Sequence, residues 1–214
     1  MLALETRQRI VDLCVALSRK GYFAGTGGNL AVRIDASQFA VTPSATDYFA
    51  MTADEVCVMR LADLKKMDGA GTPSVETGLH ARVLRRRPDV WCSIHTHQPV
   101  ASAAALLGKP ITVEAPLLRC TLGPKVPLVG YMPSGTGLLA FLLGRALRDD
   151  ANAYLLHNHG VLCCGTSIET ALQTVDDLER LVRACLQQQI EARMRREPEH
   201  TAALAAVLAT LGGA

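Results

Sequence analysis

The sequence predicts an α/β domain whose sheet is mixed or largely antiparallel and covered by helices. Runs with apolar residues at helical spacing interleave with short β-branched or leucine-rich runs of strand character. Some strand-like runs are separated by a turn rather than a helix, which reads as hairpins. No internal repeat or linker divides the 214 residues, a length that suffices for a substantial core. One domain over 1–214 is expected, with 197–214 as a peripheral helix or a frayed tail.

Residues 4–20 place Ile10, Leu13, Cys14 and Leu17 on one helical face, and Gly21 stops the run. Gly25-Thr26-Gly27-Gly28-Asn29 forms a glycine loop, followed by strand 30–34 and, after a polar turn, strand 39–43. A further strand is expected over 56–61 and a polar turn over 65–72. A helix over 76–86 carries Leu79, Val83 and Leu84 and ends before Pro88. Strand 90–95, a helix over 99–107 and a loop with Pro110, Pro116, Pro124 and Pro127 come next. Ser134 is placed to cap a helix over 136–148, and strand 153–158 follows. The stripe Ile168, Ala171, Leu172, Val175, Leu178, Leu181, Val182 and Cys185 marks a long helix from Ser167 to 195.

Composition narrows the function classes. Hydrophobic residues make up 49% and charged residues 20%, as in an ordinary globular chain. A formal charge of +2 and 4% aromatic residues argue against nucleic acid as a partner. The arginine runs at 85–87 and 193–196 read as solvated helix ends, favourable at the C-terminal dipole. The apolar stretches 138–147 and 202–211 fall short of the ~20 residues of a membrane span, so no membrane partner is expected. The start leads directly into an amphipathic pattern, and seven scattered cysteines without C-x-x-C spacing read as reduced, mostly buried thiols. A cytoplasmic location is expected.

Two short histidine doublets carry the chemistry: Ile94-His95-Thr96-His97 and Leu156-His157-Asn158-His159-Gly160. Each ends an apolar run, and residues i and i+2 of a strand share a face. His95 and His97 can therefore present two imidazoles together, and the second doublet can add a third. Spacing alone leaves His157 and His159 open. In Pro73-Ser74-Val75-Glu76, Ser74 reads as an N-cap with Glu76 in the first helical turn; the sharper alternative makes Glu76 a catalytic acid/base or a fourth ligand. His80 lies four residues on and can pair with that carboxylate, at most in support. The glycine loop fits a hairpin entry and an anion-binding nest about equally, with Thr26 and Asn29 as added donors.

Five ordered segments, Gly25 to Arg33, Val41-Thr42-Pro43-Ser44, Pro73-Ser74-Val75-Glu76, Ile94-His95-Thr96-His97 and Asn158-His159-Gly160, resemble the class II aldolase/adducin family over nearly the whole chain. The resemblance implies a three-layer α/β/α fold around a mostly antiparallel sheet, and a homotetramer with active sites at subunit interfaces. It assigns the metal to His95, His97, His159 and Glu76, with zinc expected and manganese or iron as alternatives. Glu76 is implied to be the catalytic carboxylate. Thr26, Gly28, Asn29, Ser44 and Ser74 match positions that hold a substrate phosphate. The implied activity is a metal-dependent lyase, an aldolase acting on a small hydroxy-carbonyl compound such as a sugar phosphate through a metal-stabilised enediolate. A decarboxylase of a sugar-acid phosphate, a phosphosugar epimerase and an adducin-like assembly domain are the alternatives. The chain departs from the L-fuculose-1-phosphate aldolase-like pattern at Val75 and Ala45, which replace serine and glycine, and in Glu114-Ala115-Pro116-Leu117-Leu118, which lacks a proton-donating tyrosine.

Overall fold

The structure, a computed structural model, describes residues 1–23 and 27–212. It begins with α1 (Leu4–Arg19), which Gly21 ends in the left-handed conformation at φ 71°. An antiparallel run follows: β1 (Asn29–Arg33), β2 (Gln38–Val41), β3 (Cys57–Arg60) and β4 (Lys66–Asp68). After α2 (Thr77–Arg86) come β5 (Cys92–Thr96), α3 (Pro99–Ala105), β6 (Ile111–Thr112), α4 (Pro116–Leu122), β7 (Lys125–Val126) and β8 (Leu128–Val129). The chain continues through α5 (Gly137–Ala146), β9 (Ala153–Leu156), β10 (Gly160–Gly165), α6 (Ile168–Arg196), a 3-10 turn (Pro198–His200) and α7 (Thr201–Gly212).

Eight strands form one sheet in the order β4-β3-β2-β1-β5-β10-β9-β8, antiparallel at every pairing except β8 with β9. Alternation splits the side chains between two cores. Ile94, Cys92 and Cys163 face α1, α3 and α6; Ala31, Leu162 and Cys164 face α2 and α5. The result is the three-layer α/β/α arrangement with a mostly antiparallel sheet. The vicinal pair Cys163-Cys164 thus belongs to two different cores, as consecutive strand residues must.

Several expectations change. The turn over 65–72 contains β4, an edge strand paired with Val58 and Met59. The proline-marked loop contains β6, α4, β7 and β8; Pro116 starts α4 because the first helical position needs no N–H. Strand 153–158 stops at Leu156: Asn158 turns left-handed at φ 54°, and His159 N donates to Leu156 O at 3.0 Å. Thr136, not Ser134, caps α5, accepting from Leu139 N. The tail forms α7 through Gly212, with no buried residue.

The long α6 fixes the segment that leaves β5. Buried Glu179 accepts from Val100 N and Ala101 N at 3.0 and 2.9 Å, satisfying donors in the first turn of α3. Gln98 donates to Val175 O at 3.1 Å and accepts from Thr96 Oγ1 at 2.7 Å. Both sides of His97 are therefore tethered to α6. Glu179→Ala strips two charge-assisted hydrogen bonds, and the expected cost is about 1–3 kcal/mol, read as a lower urea midpoint at unchanged m-value; an unchanged midpoint would exclude this anchoring.

Candidate active site

Antiparallel register brings the candidate residues together. Asn29 of β1 lies opposite His95 of β5, and Leu162 of β10 lies opposite His95 on the other side. Asn29, Ser93 and His95 share the sheet face that α2 covers, and the N-cap position of α2 is Glu76 itself. The expectation that Ser74 caps this helix shifts by two positions: Ser74 Oγ accepts from Glu76 N at 3.2 Å. The carboxylate of Glu76 is thereby free to turn to the histidines.

His95, His97 and His159 form a cluster whose ligand nitrogens all lie within 4.8 Å of one another. His157 is not in it; it sits in the turn that the left-handed Asn158 creates, so the shared face expected for the second doublet is absent. Gly160 makes the close approach possible. A Cβ there would stand 2.6 Å from Thr96 O, 2.7 Å from His97 Cδ2 and 3.1 Å from His95 Cε1. Gly28 is equally constrained, at φ 88° with Phe23 where a Cβ would go. Tyr48 donates to Gly28 O at 2.5 Å and holds the end of the glycine loop.

Hydrogen bonds fix the chemical state of the cluster. His95 Nδ1 lies 2.8 Å from Val161 O, and because a carbonyl only accepts, that nitrogen carries the proton. Its Nε2 is then a bare lone pair, 3.0 Å from His97 Nε2 and 3.4 Å from Glu76 Oε2. His159 Nε2 lies 3.3 Å from Glu76 Oε1. Burial holds the His95 ring down to about 4 and lowers that of His97 as well, so both are neutral at neutral pH. Burial alone raises the Glu76 carboxyl, but two hydrogen bonds, joined by the charge of His95 or His159 whenever either ring is protonated, outweigh it and hold the group below the usual carboxylate range.

Those two bonds come from Asn29 Nδ2 to Oε2 at 2.7 Å and Ser134 Oγ to Oε1 at 2.8 Å. His80 does not pair with Glu76 directly; it reaches Asn29 Oδ1 at 2.7 Å. An anionic carboxylate facing a lone pair is electrostatically incomplete, and His159 Nδ1 is buried without a partner among the described residues. Three imidazoles and one carboxylate are a donor set for a divalent cation with a position left for substrate. The residues fit such an ion.

A cleft of about 140 Å³ opens beside the cluster, lined among others by Gly28, Asn29, Ser44, Ser74, Ser134 and His97. It gathers four of the five residues expected at a phosphate; Thr26 lies outside the described residues. No lysine or arginine lines it among the described residues. Tyr48 escaped the sequence reading, and Ser134 was read there only as a helix cap. Ser134 stood in a glycine-containing stretch, Pro133-Ser134-Gly135-Thr136-Gly137, whose composition signals a helix entry and nothing of its partner 58 positions away.

Comparison with known proteins identifies the family and the fold. The family described as Class II Aldolase and Adducin N-terminal domain matches residues 8–186. The 5-deoxy-D-ribulose 1-phosphate aldolase of Bacillus thuringiensis is 29% identical over 180 residues, 84% of this chain and 83% of that protein. The L-fuculose phosphate aldolase of Escherichia coli O6:H1 is 28% identical over 179 residues, 84% of this chain and 81% of its own length. A solved L-fuculose 1-phosphate aldolase superposes with a TM-score of 0.82 at 28% identity, covering 88% of this chain and 89% of that one. The chain belongs to the class II aldolase and adducin family, on the side of its aldolase-type lyases.

Proposed function

We propose that this protein is a metal-dependent aldolase that makes or breaks a C–C bond in a small hydroxylated carbonyl compound, a sugar phosphate, by way of an enediolate. One observation carries the reading: the ionised Glu76 carboxylate meets the bare Nε2 of His95 and the His159 ring at 3.4 and 3.3 Å. His95, His97, His159 and Glu76 would hold the metal, and the nitrogen-rich set suits zinc, with iron(II) and manganese(II) as alternatives. Such an ion, when bound, supplies Lewis acidity to the substrate oxygens beside the reacting bond.

The chain's own residues do the rest. Glu76 exchanges the proton on the enediolate carbon, and the donors on both its oxygens hold it in one rotamer for that transfer. Ser44, Ser74, Asn29 and the backbone at Gly28 bind the phosphate through neutral donors, and the family resemblance adds Thr26 to them. The phosphorylated ketoses named for the relatives support this substrate class. The protein acts as a homotetramer with interfacial active sites. Leu138 and Phe141, one turn apart on the solvent face of α5, support this as an apolar surface that needs a cover. Seven free cysteines fit a cytoplasmic setting.

Glu76→Gln is expected to lower kcat by roughly 10²- to 10⁴-fold while elemental analysis still finds metal on the protein; normal turnover on phosphorylated hydroxy-ketones would sink the role. Gly160→Ala drives a methyl group into His95 and His97, and the expected result is a loss of roughly 10- to 100-fold in metal affinity, measured by competition with a chelating dye. Wild-type protein that takes up less than one equivalent of any transition metal after reconstitution would overturn the metal-dependent reading itself.

A further inference from the structure

His80 is fully buried, and both its ring nitrogens are spent inside the protein. It stands one helical turn after Glu76 on α2, over the sheet face that presents Asn29, Ser93 and His95. Leu79 and Val83 of the same helix are buried in the core on that side of the sheet. An apolar side chain would sit there without the desolvation that a polar ring incurs. The ring is therefore kept for the two bonds it makes.

The direction of those bonds follows from one end. The carboxylate of Glu76 only accepts, so the Asn29 atom 2.7 Å from Oε2 is the amide nitrogen. The other terminus of that amide, Oδ1, then faces His80 Nε2 at 2.7 Å, and Nε2 must carry the proton. In the neutral ring Nδ1 is bare and accepts from Ser93 Oγ at 2.9 Å. A single polarity runs from Ser93 through His80 and Asn29 to Glu76. With Asn29 rotated by half a turn, its oxygen would oppose the carboxylate and its nitrogen would oppose a ring proton. Both contacts would be repulsive.

We propose that Ser93 and His80 form a buried clamp that locks the Asn29 amide in one orientation and so aims Oε2 of Glu76, which makes His80 a positioning residue for the proton transfer. This rests on Glu76 being the group that exchanges the proton. Without the His80 donor, the amide can rotate and its oxygen can repel the carboxylate, so turnover suffers while the cleft and the histidine cluster persist.

Steady-state kinetics and metal content of His80→Leu, His80→Gln and Ser93→Ala, measured beside Glu76→Gln, test the clamp. His80→Leu should lower kcat about 10- to 100-fold with metal stoichiometry within twofold of wild type. His80→Gln, which still offers an N–H to Asn29 Oδ1, should recover most of that loss. Ser93→Ala, which removes one neutral hydrogen bond from the far end, should cost roughly fivefold in kcat. The clamp is overturned if His80→Leu and Ser93→Ala both keep wild-type kcat, if His80→Gln is as impaired as His80→Leu, or if His80→Leu loses its metal. Should His80→Leu fail to fold, Ser93→Ala decides: wild-type kcat overturns the clamp, and a selective kcat loss with metal retained supports it. Normal turnover in Glu76→Gln would instead refute the role of the carboxylate, a different failure from a dead Glu76→Gln beside an active His80→Leu.

Discussion

A carboxylate buried among imidazole lone pairs is the contact around which this fold is arranged. Glu76 is 6% exposed, and its charge must be met by something within reach. Asn29 and Ser134 give it one hydrogen bond on each oxygen. His95 cannot add a third, because its proton is committed to Val161 O. What remains is negative potential concentrated beside the imidazoles, the condition under which a cation binds, while the two donated hydrogen bonds keep the buried carboxylate ionised. The sheet order follows from the same need. Only β1, β5 and β10 as neighbours put Asn29, His95 and the turn before Gly160 side by side, and only α2 on that face puts Glu76 over them.

The parts of this arrangement that depend on period were legible in the sequence. His95 and His97 stand two apart at the end of an apolar strand, and alternation alone sends both to one face. The long helix, the layering and most strands follow from the same periods. What depends on a single backbone angle was not legible. The choice between His157 and His159 turns on Asn158 adopting φ 54°, which ends the strand two residues early and cancels the alternation that puts both rings on one face. Asn tolerates that region without requiring it, so the sequence offers both outcomes. Ser134 was hidden for another reason: a hydroxyl two residues before a helix signals a cap, and only the tertiary fold shows that Thr136 takes that task.

Rigidity reaches the site from the opposite core. The donors that hold the chain just after β5 come from α3, and their acceptor is Glu179 on α6, on the far side of the sheet from α2. Buried charged groups of this kind add little net stability compared with apolar packing, yet they specify a register. Here the register matters, because a one-residue slip of β5 against β10 would turn His95 and His97 into the other core.

The loop at Ser44 shows how much of the cleft is set by pairing rather than by residue identity. Ala45 adopts φ 51°, a left-handed conformation that costs a non-glycine residue about 1 kcal/mol. Glycine would take it without that cost, yet the turn persists with alanine. It persists because its flanks are held: Ser44 N donates to Thr72 O at 2.8 Å, Ser74 N donates to Thr42 O at 3.1 Å, and Pro43 bridges to Pro73. These contacts fasten the segment carrying Ser44 to the segment carrying Ser74 and Glu76. The two serines of the cleft and the carboxylate therefore move as one unit, and a substitution at Ala45 strains that unit locally without redirecting it.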